Sequence, residues 1–253
     1  MCNVRDVAEP SRVQLCGSFV AELSGRRIDD VLPGRQGRLL FAYLVLSRHQ
    51  QVSRDVLTDA LWGESPPAGI GTALNALVSK VRAAVGPEVL RGRSELRVVL
   101  PEPVLVDVEV AIEKVHAAEA AVAQGQWRRA WSPALTAQFV ARRSFLPEAD
   151  RPWAESWRRR LAGIRVRAAE AYTTACLHIG GSELAGAERA ARELVELAPL
   201  RETAHLLLMR TLAARGNVAE ALHAYEHLRV VLREELGVDP SREVQEAYAG
   251  LLS

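Results

Sequence analysis

The sequence predicts a mainly α-helical protein with little β-structure, divided into two parts. Three observations favour this fold class. The first half alternates short β-patterned stretches with helical ones and ends at Pro101 and Pro103. The second half is rich in alanine and leucine at helical spacing, and one of its patterns recurs after 34 residues. The 253 residues also exceed the roughly 100 to 150 residues of a common single domain.

Two short strands and three helices are predicted in the first half. Apolar and polar residues alternate around residues 13–16 and 19–23, as they do in half-buried strands. A first helix is predicted from Arg35 to Arg48, where apolar residues recur every three or four positions. Ser53 is a good N-cap for a second helix, and a third helix is predicted to begin after Gly69-Ile70-Gly71 and to run to about Val85.

A basic hairpin is predicted directly after the third helix. Residues 89–100 contain two short β-patterned stretches joined by a turn that carries arginine. Three helices followed by a hairpin is the order of a winged helix-turn-helix domain, in which the hairpin is the wing. We therefore predict a disordered N-terminal tail over residues 1–11, a winged-helix domain over 12–105 and an all-α, tetratricopeptide-like domain over 106–253.

The repeat in the second half predicts stacked helix pairs. Its 34-residue period agrees with that of tetratricopeptide repeats, in which small residues let neighbouring helices approach closely. A segment over residues 125–130 has the same glycine-to-alanine spacing and is interpreted as a weaker member of the stack. The matched positions are Leu184, Ala187, Ala190 and Leu194 in one copy and Val218, Ala221, Ala224 and Leu228 in the other.

The charge, the hydrophobicity and the cysteine content limit the classes of protein to which the chain can belong. The net charge is +1, but residues 12–100 carry twelve basic and eight acidic residues, which permits a polyanionic partner. No apolar run is long enough for a membrane span, and the first residues lack the apolar core of a signal peptide, so we expect a cytoplasmic protein without membrane contact. Cys2, Cys16 and Cys176 are too dispersed for a disulfide scaffold or zinc knuckle, so free thiols are expected.

The third helix is the predicted DNA-reading element. Its leucine and valine residues fall on one side, and the opposite side presents small and polar residues that suit a major groove. Asn75 is expected to pair with an adenine edge, Thr72 and Ser79 with bases or phosphates, and Lys80 and Arg82 with phosphates. Arg91 and Arg93 of the wing complete the set, with Arg97 beside them. The structural alternative is an ordinary amphipathic helix and a hairpin charged to protect its edges.

Three stretches of the sequence resemble a known family. The stretches GRQGRLLFAYLVLSRHQQVSRDVLTDALWG and PPAGIGTALNALVSKVRAAVG resemble the OmpR-type winged helix of the Streptomyces antibiotic regulatory protein (SARP) family. The stretch RETAHLLLMRTLAARGNVAEALHAYEHLRVVLREELGVDP resembles the bacterial transcriptional activator domain that follows it in those regulators. The resemblance implies a transcriptional regulator that binds direct repeats near promoters and recruits RNA polymerase.

Enzymatic and metal-binding interpretations lack support in the sequence. The patterns GxxxxGK[ST], GxSxG and HExxH are absent, so no catalytic residue and no cofactor are expected. His223 and His227 lie one helical turn apart and with Glu226 could hold a metal ion, but we interpret them as solvated and expect no metal site. Trp153 and Trp157, also one turn apart, are expected to pack in a core or between helices.

These observations lead to one main hypothesis and two alternatives. The main hypothesis is a DNA-binding transcriptional activator whose third helix and wing dock on double-stranded promoter DNA. Its helical domain would then contact RNA polymerase or form a homodimer. The first alternative is a tetratricopeptide-like protein-interaction module with a vestigial or protein-docking winged helix. The second is a helical domain that binds a small effector. The operator sequence, the target genes, the choice between activation and repression, and the oligomeric state cannot be read from the chain.

Overall fold

A computed structural model describes residues 9–252, which form two compact units. The first unit contains residues 9–110 together with residues 143–161, and the second contains residues 111–142 and 162–252. The chain therefore passes between the units three times. These units differ from the predicted segments because residues 143–161, which follow the predicted boundary, pack with the N-terminal residues. The mainly α-helical fold class with small sheets is confirmed.

A four-stranded sheet opens the first unit. Its strands are β1 (Ser11–Gln14), β2 (Val20–Leu23), β3 (Arg26–Arg27) and β7 (Val104–Val106), in the order β3-β2-β1-β7. Strand β1 is antiparallel to β2 and parallel to β7. Most of the predicted N-terminal tail lies outside the described residues, but its last residue, Ser11, belongs to β1. The backbone N–H of Ser11 donates to the carbonyl of Pro103 (2.8 Å).

Three helices follow as predicted: α1 (Gly34–Leu46), α2 (Arg54–Trp62) and α3 (Ile70–Val85). The predicted N-cap of α2 is confirmed, since the Ser53 hydroxyl accepts from the backbone N–H of Val56 at 3.4 Å. Buried leucine, valine and phenylalanine residues from α1, α2 and α3 form the core of this unit.

The predicted wing is also present. Strands β5 (Leu90–Gly92) and β6 (Glu95–Val98) pair as an antiparallel hairpin, and β6 also pairs with the short strand β4 (Val52–Ser53). The resulting sheet has the order β4-β6-β5. Because β4 directly precedes α2, this sheet ties the start of α2 to the wing.

Residues 143–161 form an aromatic strap on the first unit. Phe145 is buried and stacks on Trp157, with ring centroids 6.0 Å apart. Trp153 packs edge-on against Tyr43 of α1, and its indole N–H donates to the carbonyl of Ala60 of α2 at 2.9 Å. Trp153 and Trp157 are half-buried, and Trp153 packs between α1 and α2, so the predicted core or interhelix packing is interhelix packing.

Asp107 holds the end of β1 in place. Its carboxylate oxygens accept from the backbone N–H groups of Leu15 (3.0 Å) and Cys16 (2.9 Å). Burial raises the pKa of Asp107, and it raises the pKa of the Cys16 thiol well above its usual range. Cys16 and Cys176 are buried and free, as predicted, whereas Cys2 lies outside the described residues. A buried thiol with a raised pKa is a poor nucleophile.

The remaining helices pack as consecutive pairs in the second unit, with α4 and α6 beginning in the first. Most of the connections are tight turns, such as that at Gly216, whose φ of 82° lies in the left-handed region. No helix among residues 9–252 is sufficiently long and apolar to cross a bilayer. The helices are α4 (Asp107–Ala123), α5 (Trp127–Ala141), α6 (Pro152–Ile179), α7 (Leu184–Leu197), α8 (Glu202–Ala214), α9 (Val218–Leu236) and α10 (Arg242–Leu251).

The 34-residue repeat corresponds to equivalent helices. Helices α7 and α9 begin at Leu184 and Val218, which are the first matched positions of the two copies. Ala187 and Ala221 are both fully buried, so the small residues lie where the helices approach most closely. Ala130, from the predicted weaker member, is also fully buried on α5. The predicted helix-pair stack is therefore confirmed.

Candidate nucleic-acid interface

Helix α3 presents the predicted face to solvent. Leu74, Val78, Val81 and Val85 are buried beneath it, as helical periodicity required. Ala76 and Ala83 are exposed, so the outward ridge is smooth and narrow. Thr72, Asn75, Ser79 and Lys80 are exposed as well, and they lie along or beside this ridge. The helix can therefore approach a partner closely along its whole length.

Arg82 points towards the wing. Its Nε donates to the carbonyl of Leu90 (3.0 Å), and its Nη2 donates to the carbonyl of Gly92 (2.6 Å). The side chain is half-buried by these contacts. Arg82 was predicted to contact phosphate, but in this structure its guanidinium fixes the wing to α3. This tertiary role was not visible in the sequence.

The wing carries three exposed arginines, Arg91 and Arg93 on its first strand and turn and Arg97 on β6. The Arg91 Nε donates to the carbonyl of Glu88 (2.8 Å), which holds the stem of the side chain near the end of α3. The side chain of Arg93 is exposed at the tip of the hairpin. Arg97, further along, donates to the carbonyl of Arg48 at 3.2 Å. Arg91 and Arg93 are thus the wing residues that face solvent beside α3.

Arg54, the first residue of α2, was missed by the sequence analysis. Its Nη1 donates to the carbonyl of Arg93 (2.7 Å), and its Nη2 donates to Oδ1 of Asn75. One guanidinium therefore joins α2, α3 and the wing. The only signal in the sequence was a single arginine after the N-cap Ser53, which is too common a feature to mark a site.

The positive charges around α3 are not neutralised by carboxylates. Elsewhere in this unit, Arg27 pairs with Asp29 at 2.7 Å and lowers the pKa of that carboxyl, and Arg48 pairs with Glu109 at 2.7 Å. By contrast, five cations at the candidate interface form no ion pair with any of the described residues. They are Arg54, Lys80, Arg82, Arg91 and Arg93. Unpaired cations around a smooth helix favour a polyanionic partner.

The histidines of the second unit are not arranged as a metal site. His227 stacks on the buried ring of His205, with centroids 5.8 Å apart. Within residues 9–252, no group of three or more histidine, cysteine, aspartate or glutamate residues is placed to hold a metal ion. His223 and His227 were weighed as ligands with Glu226, and this geometry gives that interpretation no support.

A family model and two named regulatory proteins match the sequence of this chain. The family model for the bacterial transcriptional activator domain matches residues 106–252. Regulatory protein AfsR of Streptomyces coelicolor is 34% identical over 219 residues, which are 86% of this chain and 22% of AfsR. Regulatory protein DnrI of Streptomyces peucetius is 27% identical over 263 residues, covering 95% of this chain and 92% of DnrI. The chain thus spans about a fifth of AfsR and nearly all of DnrI.

A solved structure is similar to the whole chain. It is that of EmbR from Mycobacterium tuberculosis in complex with a low-affinity phosphopeptide. The TM-score is 0.82 at 23% identity, covering 96% of this chain and 65% of the EmbR chain. At this identity the likeness shows a shared fold. AfsR, DnrI and EmbR are all named as regulatory proteins.

Proposed function

This chain belongs to the bacterial transcriptional activator domain family, within regulators of the SARP type, and on that premise we propose that it activates transcription by binding promoter DNA. The observation that carries the proposal is the exposed face of α3. Small residues form its ridge, and cations without ion pairs lie beside it and on the adjoining wing.

In the proposed complex, α3 lies in the major groove. Ala76 and Ala83 allow the helix axis to approach the base edges, and Thr72, Asn75 and Ser79 supply hydrogen-bonding groups. Lys80 on α3, and Arg91 and Arg93 on the wing, contact phosphates of the backbone. Arg82 contributes by holding the wing beside the helix.

The helical unit supplies the partner contacts of this proposal. Residues 111–142 and 162–252 carry fourteen basic and fifteen acidic residues, so this unit has no electrostatic preference for nucleic acid. We assign to it contact with RNA polymerase or with a second copy of the chain bound to a neighbouring half-site. Such a protein acts in the cytoplasm, where bacterial DNA is transcribed.

A mobility shift at two salt concentrations tests the proposal. The probes are duplexes from upstream of the gene and its neighbours, with an unrelated duplex of equal length as control. Each neutralised phosphate releases counterions, so the logarithm of the affinity should fall with the logarithm of salt concentration by about 0.9 per contact. No binding to any duplex at low salt would contradict DNA recognition.

The chain offers a matched pair of lysine variants, since Lys80 and Lys114 are its only lysines. Lys80→Ala should weaken binding to every duplex about equally and reduce the salt slope by about one. Lys114 lies on α4 beside Glu113 (3.0 Å), so Lys114→Ala should leave both quantities unchanged. Equal effects of the two changes would refute the placement of Lys80 at the DNA.

A groove in the helical unit favours a second candidate function, that of a peptide-binding module. Val122, Leu206 and Leu207 contribute apolar surface to a cavity of about 410 Å³. Arginine–glutamate pairs line its rim, among them Arg201 with Glu170. If this second function is correct, the chain should show no affinity for DNA. It should instead bind a protein partner, and Lys80→Ala should leave that binding unchanged.

A further inference from the structure

The contact between Arg54 and Asn75 lies at the centre of the proposed DNA-binding face. Arg54 is half-buried at the start of α2, and its guanidinium is held at two points, by the carbonyl of Arg93 and by Oδ1 of Asn75. Both partners are acceptors, and neither is charged. The positive charge of Arg54 is therefore retained beside the exposed amide of Asn75.

This contact fixes which atoms of the Asn75 amide remain available. A guanidinium has only donors, so the amide atom that faces it must be the acceptor Oδ1. The usual ambiguity between the oxygen and the nitrogen of an asparagine side chain does not arise here. No described residue accepts from Nδ2 of Asn75, whose two N–H donors therefore remain available at the exposed surface of α3.

Adenine is a poor partner for this arrangement. An asparagine that reads adenine accepts from the N6 amino group through its oxygen and donates to N7 through its nitrogen. Here one of the two lone pairs of the oxygen accepts from Arg54, and an adenine amino group that approached the other would lie beside the guanidinium cation. Guanine instead presents two acceptors, N7 and O6, in the major groove. Those acceptors suit a surface made of amide and guanidinium donors.

We propose that Arg54 sets the base preference of Asn75, so that this position of α3 selects guanine rather than adenine. The inference rests on the proposed function, because it requires α3 to lie in the major groove. It also replaces the pairing of Asn75 with adenine that residue type alone indicated. Arg54 is a positioning residue in this scheme, since it acts by occupying Oδ1 and by placing its charge beside the amide.

Arg82 provides the matched control for Arg54. Both arginines donate to backbone carbonyls of the wing, but only Arg54 also donates to Asn75. Loss of either side chain removes a wing anchor, whereas loss of Arg54 alone releases the amide. If the base preference changes when Arg54 is replaced but not when Arg82 is replaced, the cause is the lost contact with the Asn75 amide. A shift in the position of the wing would affect both variants.

The test is selection from a randomised duplex library with the full-length chain, followed by sequencing. The base pair that residue 75 contacts is identified by comparing the unchanged chain with Asn75→Ala. It is the position in the duplex at which this variant loses the base preference that the unchanged chain shows. We expect guanine there for the unchanged chain and for Arg82→Met, and a shift towards adenine for Arg54→Met. Adenine with the unchanged chain, guanine retained by Arg54→Met, or no position altered by Asn75→Ala would each overturn the inference.

A second measurement compares affinities of the unchanged chain alone and uses Asn75→Ala only to identify the position. A duplex selected by the unchanged chain is made with 7-deazaguanine at the position read by residue 75, which removes the N7 acceptor. We expect the affinity of the unchanged chain to fall at least about fivefold, as for loss of a specific base contact. Unaltered affinity would overturn the inference while leaving DNA binding intact. A chain that selects no sequence at all would refute the proposed function itself.

Discussion

At the residue scale, several arginines donate to backbone carbonyls, and Arg158 also pairs with Glu155 at 3.1 Å. Arg54 and Arg82 hold the wing, and Arg158 donates to the carbonyls of Phe145, Leu146 and Ala149 at 2.7–3.1 Å. Five donors in a planar group let one side chain satisfy several carbonyls at once. A basic residue near a candidate DNA surface can therefore also hold the fold together, as the contacts of Arg82 with the wing show.

His205 gives a pH prediction for the helical unit. Burial lowers the pKa of its ring from 6.5, and the stacked His227 of α9 acts in the same direction. The carbonyl of Pro199, at 2.9 Å from Nε2, and Glu202 oppose this shift. The folded state thus favours the neutral ring, so the unfolded chain binds more protons just below pH 6.5. The free energy of unfolding should fall as the pH drops below 6.5, by at most about 1.4 kcal/mol per pH unit.

Urea denaturation between pH 5 and pH 8 checks this prediction, with signals from the helical unit. His205→Gln keeps a donor for the Pro199 carbonyl but has no ring to protonate, so it should reduce the loss of stability at low pH. The matched variant His178→Gln removes an exposed ring from the same unit and should retain the decline of the unchanged chain. A full decline in His205→Gln would show that another group is responsible.

At the scale of elements, the wing depends on one backbone conformation. Gly92 ends β5 with a φ of 95°, in the left-handed region that side chains rarely adopt. A Cβ at this position would lie 1.9 Å from the carbonyl oxygen of Glu95, across the hairpin turn. The turn therefore requires glycine, and its conformation places the Gly92 and Arg93 carbonyls where Arg82 and Arg54 reach them.

Gly92→Ala should destabilise the first unit by about 1 to 3 kcal/mol, because the strained backbone and the clash cannot both be relieved without opening the hairpin. Amide hydrogen exchange in β5 and β6 should accelerate accordingly. Gly71→Ala is the matched control, since Gly71 lies in α3 with open space around it and should gain about 0.5 to 1 kcal/mol from the change. Similar stabilities for the two variants would contradict this account of the turn.

At the scale of the whole molecule, the winged-helix unit is not continuous in sequence. Residues 143–161 belong to it, and the aromatic rings of Phe145, Trp153 and Trp157 cover helices and strands formed more than 80 residues earlier. Large aromatic side chains contribute much of the apolar area buried in a small core. A fragment that ends at residue 105 would lack this strap.

Trp153→Ala should therefore destabilise the first unit by about 3 to 5 kcal/mol, through the cavity it leaves and the unpaired carbonyl of Ala60. Hydrogen exchange in α1 and α2 measures this loss for the first unit alone. Trp127→Ala is the control, because Trp127 is half-exposed and stacks on the exposed His178 of the second unit. It should leave exchange in α1 and α2 unchanged. Protection of α1 and α2 that survives Trp153→Ala would show that the strap is dispensable.

The sequence by itself determined the helices, the wing, the 34-residue repeat and the outward face of α3. These features depend on local periodicity, on caps such as Ser53 and on turn residues, all of which act within a few positions. Only the tertiary structure decided that β7 pairs with β1, that residues 143–161 pack on the first unit and that Arg54 occupies Oδ1 of Asn75. Such contacts join residues 21 to 131 positions apart, and no local pattern of residues specifies which distant groups packing brings together.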